Sequence, residues 1–78
     1  MDHSYDHQVG QCIRTAREKR KLTQEQLAAR LQTRGCDVTR SALAKMEAGQ
    51  RHIYLLELRL LREILDVPYE TLLPQTRE

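Results

Sequence analysis

Residues 23–51 constrain this chain more than any other stretch: T-Q-E-Q-L-A-A-R-L, then Q-T-R-G-C-D-V, then T-R-S-A-L-A-K-M-E-A-G-Q-R. The pattern predicts two short helices joined by a turn. Thr23 and Gln26 have capping-box spacing, in which each side chain satisfies one free backbone N–H at a helix start. Leu27, Ala28 and Leu31 then share one face, so the first of the two helices has an apolar side. Thr39 is placed to cap the second helix, and Leu43 and Met46 point it inward. At about 100° per residue, Arg40, Ser41, Ala44 and Lys45 fall on the opposite side. That side combines a fork of donors, a hydroxyl, a gap and a long cation. It suits base edges in the DNA major groove, which is wide enough to admit a helix. Residues 23–51 therefore read as a DNA-binding helix-turn-helix.

At 78 residues the chain has room for one small domain. With no Trp or Phe and three Tyr, its core must be aliphatic and modest. Dimerisation would help a chain this small, which buries a limited share of its surface. The net charge of +2 is weak evidence alone, but its distribution is not. From Arg14 to His52 there are ten Lys and Arg against four Asp and Glu, while the flanking segments together carry −4. A basic middle between acidic ends fits a local nucleic-acid footprint, and a solvated helix surface is the blander alternative.

Other chemistries find little support. Cys12 and Cys36 give neither a disulfide framework nor metal-ligand spacing, and His3, His7 and His52 are scattered, so no metal or cofactor is expected. There is no Gly-rich phosphate loop, no H-E-x-x-H and no nucleophile elbow, and an enzyme is not expected. The most apolar stretch, residues 53–65, is interrupted by Glu57, Arg59, Arg62 and Glu63. No signal peptide or membrane span is therefore expected, and a reducing cytoplasm with free thiols is.

Taken in order, residues 1–6 are polar and expected to be disordered. A first helix is expected from about His7 to Arg20 on Val9, Ile13 and Ala16, with Cys12 as a small buried hydrophobe beside the stripe. Leu22 returns to the core before Thr23. The segment Gln32–Val38 is long for such a turn, with Gly35 suited to a left-handed position and Val38 packing inward. Gly49 should end the second helix of the pair. A fourth helix is expected over about 54–65, with Leu58, Leu61 and Leu65 on its core face. Leu56, Leu60 and Ile64 form a second stripe. Asp66 stops that helix, and Pro68 suits the first position of a short last helix through Leu73. The folded domain is thus expected over residues 7–73, with 74–78 as a flexible tail.

This pattern resembles the XRE or lambda-repressor-like (phage repressor type) helix-turn-helix family over roughly residues 9–73. The matching residues are Ile13-Arg14, Arg17, Leu22-Thr23-Gln24, Leu27-Ala28, Leu31, Val38-Thr39-Arg40-Ser41, Leu43, Lys45-Met46-Glu47, Gly49, Arg51 and the closing D-V-P-Y-E-T-L-L. Several are polar positions that helix periodicity does not require. The resemblance implies an all-α, compact five-helix domain, with the helix-turn-helix at helices 2 and 3. It implies a sequence-specific double-stranded DNA-binding transcriptional regulator, a repressor acting as a homodimer on a palindromic operator. The recognition helix would be about 39–48, with Arg40, Ser41, Ala44 and Lys45 facing bases. Gln24, Thr39, Arg51, Arg14 and Arg34 would serve phosphates, Gln24 with the help of the helix N-terminus. Arg17 and Glu47 occupy positions that form a partly buried ion pair in relatives.

Two departures from the pattern stand out. The turn before Thr39 is about five residues longer than in relatives, so Arg34 either adds a phosphate contact or sits on a bulge without a role. Lys21 stands where relatives carry Gly before Leu22. No second domain, inducer pocket or small-molecule ligand is expected. The alternative function is an antitoxin or anti-repressor module whose main partner is another protein. Leu56, Leu60, Ile64 and Tyr69 would serve a dimer or that partner, unless they complete the monomer core.

Overall fold

The computed structural model describes residues 4–74, and within them five helices follow one another without strands. They are α1 (Ser4–Lys19), α2 (Gln24–Thr33), α3 (Arg40–Glu47), α4 (Leu55–Leu65) and α5 (Tyr69–Leu72). α1 lies against α3 and α5, while α2 packs on α3 and α4. The all-α five-helix expectation holds. Its core is aliphatic, as the composition required: Ile13, Leu27, Leu31, Val38, Leu43, Met46, Leu61, Leu65 and Leu72 are fully buried.

Both caps of the helix pair form as the spacing predicts. The Gln26 N–H donates to Thr23 Oγ1 at 3.0 Å, and the Thr23 N–H donates to Gln26 Oε1 at 2.9 Å. The Ala42 N–H donates to Thr39 Oγ1 at 3.1 Å. Each bond satisfies a donor that a helix start would otherwise leave unpaired.

The four longer helices share one way of stopping. In each, a left-handed residue turns the chain and the following N–H reaches back to a carbonyl five residues earlier. Cys36 N–H bonds Leu31 O past Gly35, and Gln50 N–H bonds Lys45 O past Gly49. The same turn follows α1 at Lys21 (φ 56°) and α4 at Asp66 (φ 54°), where a side chain makes it costlier. Asp66 has compensation, since its carboxylate pairs with Arg20 at 3.1 Å. No side-chain bond or ion pair involving Lys21 offsets its strain among the described residues.

Four expectations need correction. α1 starts at Ser4, so residues 4–6 are helical and not disordered; residues 1–3 and 75–78 lie outside the described residues. Asp6 sits in its first turn, where a negative charge favours the helix dipole. The early turn also packs on α3: His7 Nδ1 lies 3.4 Å from Ala48 O, and a Cβ on Gly49 would come within 2.6 Å of the His7 Cα. Gly10 continues this close approach, leaving no room for a side chain above the Met46 and Glu47 carbonyls. Secondly, α2 runs through Thr33, so the connection to α3 is shorter than 32–38 suggests at its start. Thirdly, Pro68 precedes α5 in an extended conformation instead of forming its first residue. Fourthly, Cys12 is only half-buried, whereas Cys36 is buried; both are free thiols.

Replacing Lys21 by Gly relieves a left-handed side chain, so Lys21→Gly is expected to stabilise the fold by about 1 kcal/mol. A chemical denaturation curve showing no gain would mean the turn carries no such strain.

Candidate nucleic-acid interface

Leu43 and Met46 anchor α3 in the core, which fixes the opposite face outward. Arg40, Ser41 and Lys45 are exposed there, and Ala44 is half-buried between them. Among the described residues, no hydrogen bond or ion pair engages the side chains of Arg40, Ser41 or Lys45. Three donors therefore stand free on one rigid surface.

Beside this face lies an open groove of about 640 Å³ lined by Arg14, Arg17, Thr23, Gln24, Glu25 and Arg40. It brings the start of α2 together with the start of α3, which sequence spacing placed sixteen residues apart. The N-terminus of α2 directs free N–H groups and a positive dipole end outward, a setting that favours an anion. Arg14 is half-exposed and only loosely tied to Glu18 at 3.5 Å. Thr39 is exposed while its hydroxyl oxygen caps α3.

Beneath the groove is a buried polar node. Arg17 Nε donates to Glu47 Oε2 at 2.7 Å and Arg17 Nη2 donates to Glu47 Oε1 at 3.0 Å, a bidentate pair. Arg17 Nη1 donates to Leu22 O at 2.8 Å. Hydrogen bonding to Glu47 raises the Arg17 pKa above its ordinary value despite burial, so the guanidinium stays charged. Gln24 Nε2 also donates to Glu47 Oε1, at 3.0 Å. One carboxylate thus joins α1, the first residue of α2 and the last residue of α3. The Gln24 bond was not foreseen, because nothing in one-dimensional spacing relates residues 24 and 47.

Two residues expected at phosphates are held elsewhere. Arg51 makes a bidentate pair with Glu57, both distances 2.9 Å, and donates to His52 O at 2.8 Å. Glu57 is buried and also accepts the Tyr54 N–H at 3.0 Å, so Arg51 fastens the loop after α3 to the start of α4. Arg51, expected over the DNA backbone, is thus held in an internal ion pair. Arg34 pairs with Glu63 of α4 at 2.9 Å, and Glu63 also receives Arg59 at 3.2 Å. The long turn is therefore pinned to α4 through Arg34. A six-residue separation lies off any helical period, so the Arg51–Glu57 pair left no signal in the sequence.

The second stripe of α4 also divides. Leu60 and Ile64 are partly buried against the core, and Leu56 is exposed. Tyr69 is half-exposed with the Arg62 guanidinium 5.1 Å from its ring centre. A somewhat larger groove lies between α1 and α5, lined by Gln11, Cys12, Thr15, Lys19, Arg20 and Val67 among others. Among the described residues, no cluster of His, Cys, Asp or Glu could hold a metal ion.

Removing one member of a buried ion pair strands the other. Glu47→Ala is expected to cost about 3–5 kcal/mol in urea denaturation, whereas the double change Arg17→Met with Glu47→Leu should recover most of it. A double variant no more stable than the single one would contradict that partition. Glu57 has its carboxyl held below the ordinary carboxylate range, first by the hydrogen bond from Arg51. A depressed folded pKa contributes stability above the unfolded value of about 4.3 and loses it as pH falls through the folded value. Glu57→Gln should therefore show a flatter stability profile on the acid side than the parent. Parallel profiles would place the acid sensitivity elsewhere.

Comparison with known proteins agrees with the geometry. The family described as Helix-turn-helix matches residues 13–72. A solved structure described as the crystal structure of the DNA-binding domain of BldD is similar, with a TM-score of 0.79 and 26% identity. That likeness covers 95% of this chain and 100% of the other. No curated protein matches the chain significantly. The groove, the outward face of α3 and the node beneath them thus sit in a chain that belongs to the helix-turn-helix family, of the XRE or lambda-repressor-like type.

Proposed function

We propose that this protein is a sequence-specific double-stranded DNA-binding transcriptional regulator. In the finer reading it is a cytoplasmic repressor that acts as a homodimer on a palindromic operator. The single observation that carries the reading is the unpaired outward face of α3, with Arg40, Ser41 and Lys45 exposed. The similar domain is described as DNA-binding, and the matched family supports the same class. Among the described residues, no helix is long and apolar enough to cross a membrane.

In this reading α3 enters the major groove with its N-terminal residues toward base edges. Arg40 suits the two acceptors of guanine, Ser41 takes either donor or acceptor, and Ala44 allows close approach or a thymine methyl contact. Lys45 supplies a longer cation farther along the groove. Phosphates on one strand would meet the start of α2, where Gln24 keeps one amide hydrogen free of Glu47, together with Arg14 and Thr39. Those contacts set register without reading sequence. Arg51 and Arg34 act indirectly, by holding the flanking loops.

A second reading has one observation in its favour. Tyr54, Leu55 and Leu56 form an exposed apolar surface, which suits an antitoxin or anti-repressor whose main partner is a protein. Selection of bound duplexes from a random DNA pool separates the two. A palindromic consensus that survives moderate salt supports the regulator, and weak binding erased by salt supports the protein-interaction module. On the selected duplex, Arg40→Ala is expected to cost about 1–3 kcal/mol at particular base pairs, while Gln24→Ala weakens all sequences alike. Equal losses for Arg40→Ala on selected and random DNA would move Arg40 to the backbone class.

A further inference from the structure

The groove between α1 and α5 encloses about 690 Å³, a size at which small-ligand clefts occur. Cys12, Ala16 and Val67 give it an apolar surface, and among the described residues no acid lines it. Its charge is therefore one-sided. Arg20 is committed, to Leu65 O at 2.9 Å and to the Asp66 carboxylate at 3.1 Å, which it neutralises. Lys19 is exposed, with no side-chain partner among the described residues. An unpaired cation beside apolar surface fits an anion that carries an apolar body. Sequence spacing carried no sign of such a ligand, because α1 and α5 meet only in the fold.

Gln11 marks the other end of the groove. It stands two helical turns before Lys19 on α1, about 12 Å along the axis. Its amide also reaches α3, where Gln11 Nε2 donates to Glu47 O at 3.5 Å. That is long for an N–H···O bond, so a better acceptor in the groove takes the donor away. The two sides of α1 are distinct. At about 100° per residue, Cys12, Thr15 and Lys19 share the groove side, whereas Arg14 and Arg17 fall opposite, beside the start of α2. A ligand in the groove thus acts on the reading face without covering it.

We propose that this groove binds a small organic anion and that its occupancy weakens DNA binding. The ligand carries its charge at Lys19, an apolar body about 12 Å long, and a hydrogen-bond acceptor at Gln11. Drawing the Gln11 amide off Glu47 O loosens the end of α3 at the join with α1. The regulatory half rests on the DNA-binding reading, and the binding half does not.

The test uses the full chain with octanedioate, and octanediol as the uncharged control, at constant ionic strength. In residue-resolved NMR, octanedioate should shift Gln11, Cys12, Thr15 and Thr71, and octanediol should bind far more weakly. Lys19→Gln should weaken octanedioate about threefold, Lys19→Arg should keep it, and Thr15→Trp should block the groove. Saturating octanedioate should lower affinity for the selected duplex about fivefold, and the duplex should weaken octanedioate by the same factor. Gln11→Met should still bind octanedioate but lose this coupling. Equal binding of the diol overturns the site. Shifts centred on Arg40 and Lys45 also overturn it, because the dianion would then occupy the reading face directly. Saturation without any change in duplex affinity overturns the regulatory half. A chain that binds octanedioate in the groove but no duplex contradicts the DNA-binding reading and leaves the groove assigned.

Discussion

The Arg17–Glu47 pair is the constraint on which the arrangement of the outward face depends. Arg17 and Glu47 are almost fully buried, and the guanidinium and carboxylate meet at 2.7 and 3.0 Å. Desolvating two charges offsets much of their attraction, so such a pair contributes geometry more than net stability. Its geometry is unusually well connected. Glu47 fixes the last turn of α3 to α1 and, through Gln24, to the first turn of α2. The two surfaces proposed to meet bases and phosphates therefore move as one body. Gly10 strengthens the same join by letting α1 approach the α3 carbonyls without an intervening side chain.

A second set of charges holds the perimeter. Arg51 on Glu57, Arg34 on Glu63 and Arg20 on Asp66 each tie a loop or helix end to a neighbouring element. They divide the basic residues into two groups. Between Arg14 and Arg51, Arg17, Arg20, Arg34 and Arg51 are committed within the protein, Arg14 is loosely tied, and Lys19, Lys21, Arg30, Arg40 and Lys45 have no side-chain partner among the described residues. The positive middle of the sequence is thus less of a footprint than its charge count suggests. The exposed pairs, Arg34–Glu63 and Arg20–Asp66, contribute little energy each and settle loop conformations, whereas the Glu57 carboxylate that pairs with Arg51 is buried.

Much of the fold was legible because local rules agreed with one another. Thr23 and Thr39 announced helix starts, Gly35 and Gly49 announced left-handed stops, and the leucine period placed the core side of each helix. Lys21 was legible as a strained turn only through its departure from a family pattern, and its φ of 56° bears that out. What escaped were contacts between residues far apart in sequence. The early start of α1 goes with contacts far along the chain, His7 against Ala48 and Gly49 and the Tyr5 hydroxyl on Pro74 O, which no local pattern reveals. Arg51 and Arg34 resembled free cations because their carboxylate partners lie six and twenty-nine residues away. The exposed Leu55 escaped for a different reason: periodicity distinguishes the buried side of a helix, but not which apolar residue beyond that side remains uncovered.

Residue-resolved NMR of the chain during titration with its selected duplex tests the DNA-reading face most directly. Amide and side-chain signals of residues 40–45 and of the first turn of α2 should shift most, with Arg17 and Glu47 following through their shared node. Shifts confined to the groove between α1 and α5, or no shifts along α3, would contradict the assignment of α3 as the reading helix.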